Sequence, residues 1–106
     1  MTTPQPIAAY VRAANSHDTA SLLTYFAADS RVTDEGQDYH GLDQIRAWSN
    51  KVNEQYAVVL DILDCAEVGN ETVCTVQVSG TFDGSPIQLP FHFTLRGEKI
   101  AVLNIG

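Results

Sequence analysis

Positive charge is scarce in this chain. Six Lys and Arg residues face thirteen Asp and Glu, for a formal net charge of −7 over 106 residues. The six are scattered, so no basic stripe forms, and an acidic surface repels phosphate backbones and anionic lipid. Nucleic acid and membrane surfaces are therefore not expected as partners. No run of 18 apolar residues exists, so no membrane-spanning helix is expected. The opening from Met1 to Pro6 is polar, without a cationic start or an apolar run, so no signal peptide is read there. Those two absences together lead us to expect a cytoplasmic protein.

Cysteine is also rare. Cys65 and Cys74 are too few for a disulfide framework. A two-residue turn at Gly69-Asn70 would set them opposite each other across a ladder, which makes a cross-strand bond conceivable. In a cytoplasmic setting two buried thiols are the preferred reading. Metal and nucleotide signatures are missing as well. There is no His-x-x-x-His, Cys-x-x-Cys, Gly-x-Gly-x-x-Gly, phosphate-binding loop or Gly-x-Ser-x-Gly elbow. No metal and no cofactor is expected.

What is present reads as one α+β domain over 1–106, large enough for a single core. Pro4 and Pro6 precede Ile7, Tyr10, Val11 and Ala14, which share a helical face. Asp18 is the expected N-cap of a second helix that buries Leu22, Leu23 and Phe26. Arg31–Asp34 is a short strand candidate, followed by a turn at Glu35-Gly36. Ile45, Trp48, Ser49 and Val52 mark a third helix from Leu42 to about Glu54. The period then changes to two, giving strands over 56–67, 72–82, 87–96 and 99–105. Helices followed by hairpin-linked strands predict a curved, mainly antiparallel sheet wrapped around three helices.

Such a cone leaves a cavity at its open end, and such sites are apolar with a few convergent polar groups. Trp48, Phe82, Phe91 and Phe93 are the expected aromatic lining. Asp34 is the sharpest chemical candidate. A carboxylate facing an apolar cavity has its charged form desolvated, which raises its proton affinity and suits a general base beside a carbonyl. As a plain turn residue bonded to backbone N–H groups it would shift the other way. Tyr10 could donate to a developing oxyanion or simply pack in the core. His92 alternates with Phe91 and Phe93, so it points outward if they point in. It is kept in reserve in case a bulge near Pro90 reverses that parity.

The run Asp34-Glu35-Gly36-Gln37-Asp38-Tyr39-His40-Gly41, with Ile45-Arg46-Ala47-Trp48 after it and Asn15-Ser16-His17-Asp18 before it, resembles the nuclear transport factor 2-like superfamily. Val78-Ser79-Gly80 through Pro86 is similar to its bacterial SnoaL-like branch. That superfamily includes ketosteroid isomerase and SnoaL-type polyketide cyclases. The resemblance implies the cone fold and a small hydrophobic ligand. A homodimer through the outer sheet face is expected because that surface carries alternating small and apolar residues that need cover. Counted from the inter-helix turn, Tyr10 falls where ketosteroid isomerases keep an oxyanion-hole tyrosine, and Asp34 where they keep their base. Their third group, a protonated aspartate on a later strand, has no counterpart: Phe91 and His92 stand there. The acid that the cyclases use near the C-terminus is not evident either, since the last strand offers only Asn104. Two functions follow: cofactor-independent proton transfer next to a carbonyl, or a non-catalytic ligand-binding or dimerisation module.

Overall fold

The computed structural model describes residues 3–106; the polar opening at Met1 and Thr2 lies outside them. The elements run α1 (Gln5–Asn15), α2 (Thr19–Leu23), β1 (Phe26–Asp34), β2 (Gln37–His40), α3 (Leu42–Tyr56), β3 (Val59–Val68), β4 (Glu71–Ser79), β5 (Ile87–Arg96) and β6 (Lys99–Ile105). Six strands form one curved, unclosed sheet in the order β2-β1-β6-β5-β4-β3, and the helices pack into it. Every pairing is antiparallel except β1 with β6. The α+β cone expected from the sequence is therefore the fold. Among the described residues no helix is long and apolar enough to cross a membrane.

Local chemistry sets the boundaries. Pro4 caps α1 from the outside, where its missing N–H costs nothing. Asp18 accepts from the Ser21 backbone N–H at 3.1 Å and from its hydroxyl at 2.8 Å, so the N-cap of α2 is the residue the sequence indicates. Glu35 (φ 53) and Gly36 (φ 75) both take left-handed backbone and close the β1–β2 hairpin in two residues, the geometry that matches strand twist. The Thr19 and Ser49 hydroxyls lie 2.8 Å apart and tie α2 to α3.

Several expectations change here, among them the strand over 72–82, which ends at Ser79 and leaves Phe82 in the connection to β5. Phe26 does not belong to the second helix. It opens β1, buried, opposite Ile100 of β6. In addition, β2 is a strand the sequence does not announce, because Gln37–His40 carries no apolar alternation. It is held by the tight turn and by the Thr33 hydroxyl, which donates to the Asp38 carboxylate at 2.6 Å.

The inner face of the sheet carries the core. Along β4 burial alternates strictly, with Thr72, Cys74, Val76 and Val78 inward. On β5, Phe91 and Phe93 point inward and His92 points outward, where its ring nitrogen lies 3.5 Å from Glu71. The thiol reading is corrected. Cys65 and Cys74 stand opposite each other on β3 and β4 and are joined as a disulfide, with Cα atoms 4.0 Å apart. Gly69 at φ 64 supplies the tight turn that sets this register.

The edge of β3 that β4 does not cover is capped by the turn after α1. The Asn15 side-chain amide donates to the Leu60 carbonyl at 2.9 Å and accepts the Leu60 N–H at 2.7 Å, as a neighbouring strand would. A ring nitrogen of His17 lies 3.2 Å from the Val58 carbonyl. The Asn15-Ser16-His17-Asp18 run thus ties the helices to the edge strand. Replacing Asn15 by alanine leaves two partly buried backbone groups unpaired, at a cost of roughly 2 kcal/mol. The expected result is a melting temperature lower by about 10 °C, and an unchanged melt would show that water satisfies Leu60 equally well.

Candidate functional site

Parity along β1 aims Asp34 inward. Ser30 and Val32 are fully buried, and Asp34 follows at the same spacing on the same face, at the point where the strand reaches the turn. α3 begins nearby, anchored by the Gly41 N–H to the Ser30 carbonyl at 2.9 Å. Its buried stripe of Ile45, Trp48 and Ser49 lies against the sheet. The Trp48 indole N–H donates to Asp34 Oδ2 at 3.0 Å. Tyr39 of β2 packs against the Trp48 ring, centroids 6.3 Å apart, and helps fix its orientation.

Burial raises the Asp34 pKa above its ordinary value. The Trp48 hydrogen bond opposes this, the Glu35 charge adds to it, and the Glu35 backbone N–H and the Lys51 charge pull the other way. Desolvation wins because one side of the carboxylate faces an apolar space. Of the two behaviours weighed for this residue, the desolvated one fits its surroundings.

That space is a cavity of about 410 Å³, within the usual range for small-molecule sites. Tyr10, Asp34, Trp48, Phe82 and Phe91 all line it. Phe93 does not. It is completely buried beneath the wall, with its ring edge-on to Tyr10 at 5.9 Å. The parity that turns Phe91 inward turns Phe93 inward too, but β5 carries it below the cavity and into the closed core. His92, on the outer face, takes no part in the lining.

Tyr10 is 2% exposed, wedged edge-on against Phe26 (5.7 Å) as well as Phe93. Burial, followed by the nearby Asp34 charge, pushes its phenol well above the ordinary value. It stays protonated and can only donate or accept a hydrogen bond. Among the described residues no group bonds its hydroxyl, which opens to the cavity. A neutral phenol and a desolvated carboxylate thus share one apolar chamber.

Sequence reasoning missed the far end of the site. Asn53 and Tyr56 line the cavity from the last turn of α3, and Asp83 does so from the β4–β5 connection. Their signal was available: Ser49, Val52, Asn53 and Tyr56 continue one helical stripe at spacings of three and four. The sequence pattern ends the helix near Glu54 and puts Tyr56 on a strand, whereas α3 runs on to Tyr56. The connection after β4 is pinned to the end of α3. The Thr81 N–H donates to the Tyr56 carbonyl at 2.7 Å. A Cβ on Gly80 would come within 2.4 Å of that same carbonyl, so only glycine allows the approach.

Trp48→Phe removes the one side-chain donor to Asp34 among the described residues while keeping an aromatic ring. The carboxyl pKa is then expected to rise further, with a stability loss on the order of 1 kcal/mol. Carboxyl-carbon NMR shifts followed through a pH series measure the first. A pKa that stays put or falls would mean the indole does not stabilise the carboxylate.

Among the described residues no group of three or more His, Cys, Asp or Glu side chains is arranged to hold a metal ion. No curated protein matches the chain. A candidate polyketide cyclase from Sinorhizobium meliloti superposes with a TM-score of 0.94 at 32% identity, over 98% of this chain and 95% of its own. A Catenulispora acidiphila protein with a ketosteroid isomerase-like fold, solved in complex with trimethylamine, gives 0.85 at 25% identity over 99% and 86%. A cystatin-fold protein from Novosphingobium aromaticivorans gives 0.80 at 19% identity over 100% and 98%, a likeness of fold alone. The sequence profile of the SnoaL-like domain matches residues 7–103, nearly the whole chain. By that match, and by the hairpin, helix and cone just described, the chain belongs to the SnoaL-like domain family.

Proposed function

We propose that the protein binds a small, largely apolar carbonyl compound in its cavity and moves a proton next to the carbonyl without a cofactor. Asp34 is the base and Tyr10 the hydrogen-bond donor to the developing oxyanion. The observation that carries this reading is the pair itself. A carboxylate with raised proton affinity and an unpartnered, neutral phenol line the same apolar chamber. Trp48 holds one carboxylate oxygen, which orients the group, and among the described residues Oδ1 has no side-chain donor. The likeness to a candidate polyketide cyclase and to a ketosteroid isomerase-like protein is in keeping with this chemistry. So is the small amine bound by the latter, which speaks for a small-molecule site.

The test has two parts. Asp34 should titrate above its ordinary value of 3.8 in the free protein, and α-protons of enolisable ketones should exchange with deuterated water in its presence. A raised pKa without exchange on any ketone would favour a ligand-binding module over an enzyme. A normal or lowered pKa would remove the base altogether.

The proposal extends to a homodimer. Val73, Thr75, His92 and Thr94 form a half-exposed, mostly uncharged outer sheet face, and a second copy of the chain is the partner proposed to cover it. Light scattering that returned a monomer mass at micromolar concentration would reject this part alone.

A further inference from the structure

The charge of the cavity has one sign. Among the described residues three charged side chains line it, Asp34, Glu35 and Asp83, and no Lys, Arg or His does. Lys51, the cation that acts on Asp34, stands outside the lining. An anionic ligand would enter with no counter-ion and face three carboxylates, on a protein already at −7. Carboxylic acids, phosphorylated compounds and phosphate-bearing thioesters are all disfavoured on that ground.

Part of the lining supplies what an organic cation needs. Tyr56 and Phe82 meet edge to face, with centroids 5.9 Å apart and planes at 85°, so they form two walls of a corner. Ring faces of this kind attract alkylammonium groups. Asp83 follows Phe82 directly and lines the same cavity. The corner also receives the C-terminal end of α3, which carries no basic residue in its last turn to offset its partial negative charge. Two aromatic rings in contact, a carboxylate on the next residue and the last residue of a helix thus line the same cavity as Asp34 from elements other than β1. Tyr10, buried and with no hydrogen-bond partner for its hydroxyl among the described residues, lines the same cavity.

We infer that the ligand of this cavity is an organic amine, with its protonated or quaternary nitrogen in the Tyr56–Phe82–Asp83 corner and its apolar body extending inward. The inference rests on the cavity being the ligand site. It deepens the proposed function by making the compound a carbonyl-bearing amine.

Phenyltrimethylammonium and its neutral carbon isostere tert-butylbenzene differ only in charge, and 4-phenyl-2-butanone serves as a neutral ketone control. Binding is read by amide chemical-shift changes at cavity residues in the wild type and in Asp83→Asn. The cation should bind at least about tenfold tighter than the isostere, with an advantage that shrinks at high salt. Asp83→Asn should cost the cation severalfold more affinity than it costs the ketone. Equal affinity for cation and isostere overturns the inference, as does an advantage untouched in Asp83→Asn. Ketone binding without cation binding sinks the amine assignment and leaves the proposed function standing. Binding by none of the three probes overturns both.

Discussion

Asp34→Asn is expected to lose about 10²- to 10⁴-fold in turnover on any ketone the wild type enolises, the usual contribution of a positioned general base. The same variant is expected to be more stable at neutral pH. Both effects come from one cause. Burial holds the Asp34 pKa above its ordinary value of 3.8, so the folded protein binds that proton more tightly than the unfolded chain does. In the wild type this group's contribution to stability is fully favourable below the unfolded pKa. It declines as pH rises through the interval up to the folded pKa, and above that the folded state carries a desolvated charge. Asparagine has no charge to desolvate, and its amide oxygen can still accept from the Trp48 indole. Denaturation curves at pH 3.5 and pH 7 check the sign: the variant's advantage should appear only at the higher pH. Full retention of turnover would remove Asp34 from the mechanism, whatever the stability shows. A gain in stability with loss of function is the pattern expected of a group retained for chemistry.

Breaking the Cys65–Cys74 bond should be the largest purely structural effect. The two residues are 9 positions apart, and closing a loop of that size in the unfolded chain is worth about 2.5 kcal/mol on the chain-entropy account. For a domain this small the urea midpoint should fall by roughly 2 M on reduction. Cys74 is fully buried and sits opposite Phe91, which lines the cavity. Reduction is therefore expected to broaden the signals of Phe91 and its neighbours along with the hairpin. An unchanged midpoint, with two thiols reacting in the native protein, would mean the pair is open in solution. A disulfide of this kind persists in oxidising surroundings and is uncommon in a reducing cytoplasm. The bonded pair and the expected cytoplasmic location thus pull in opposite directions, and thiol counting on freshly lysed cells decides between them.

Much of the architecture could be read locally. The stripes Ile7-Tyr10 and Ile45-Trp48-Ser49, the Asp18 cap, and the turn signals at Glu35-Gly36 and Gly69-Asn70 each depend on neighbours a few residues away. They survive in the fold almost unchanged. What failed depends on distant partners. Phe26 fits the spacing of Leu22 and Leu23, and nothing nearby says that Ile100 will claim it for a sheet. The Ile100 N–H even reaches the Tyr25 carbonyl, at 2.8 Å, to secure that start. Gln37–His40 is a strand only because β1 lies beside it. The site shows the same division. Parity and helical spacing point Asp34, Tyr10 and Trp48 toward one interior. The depth at which β5 passes under the cavity, which removes Phe93 from the lining, is a matter of three-dimensional curvature. Likewise, register puts the cysteines opposite each other, whereas the choice between thiols and a bond had rested on an assumed compartment.

The sheet order has a consequence for how this protein is made. β6 is the last strand in sequence, yet it lies in the middle of the sheet, between β1 and β5. During synthesis the chain therefore presents two unconnected ladders, β1–β2 and β3–β4–β5, with a strand-wide slot between them. The facing edges of that slot hold unpaired backbone groups, and Phe93 lies along one of them with its core neighbours Ile100 and Leu103 still missing. Both the core and the ligand chamber, to which Ile105 contributes, are incomplete until β6 is in place. Nascent chains are open to mispairing until that moment. The same slot makes the protein a natural candidate for division into two fragments. A peptide spanning 99–105 would serve as the key that restores both the sheet and the cavity.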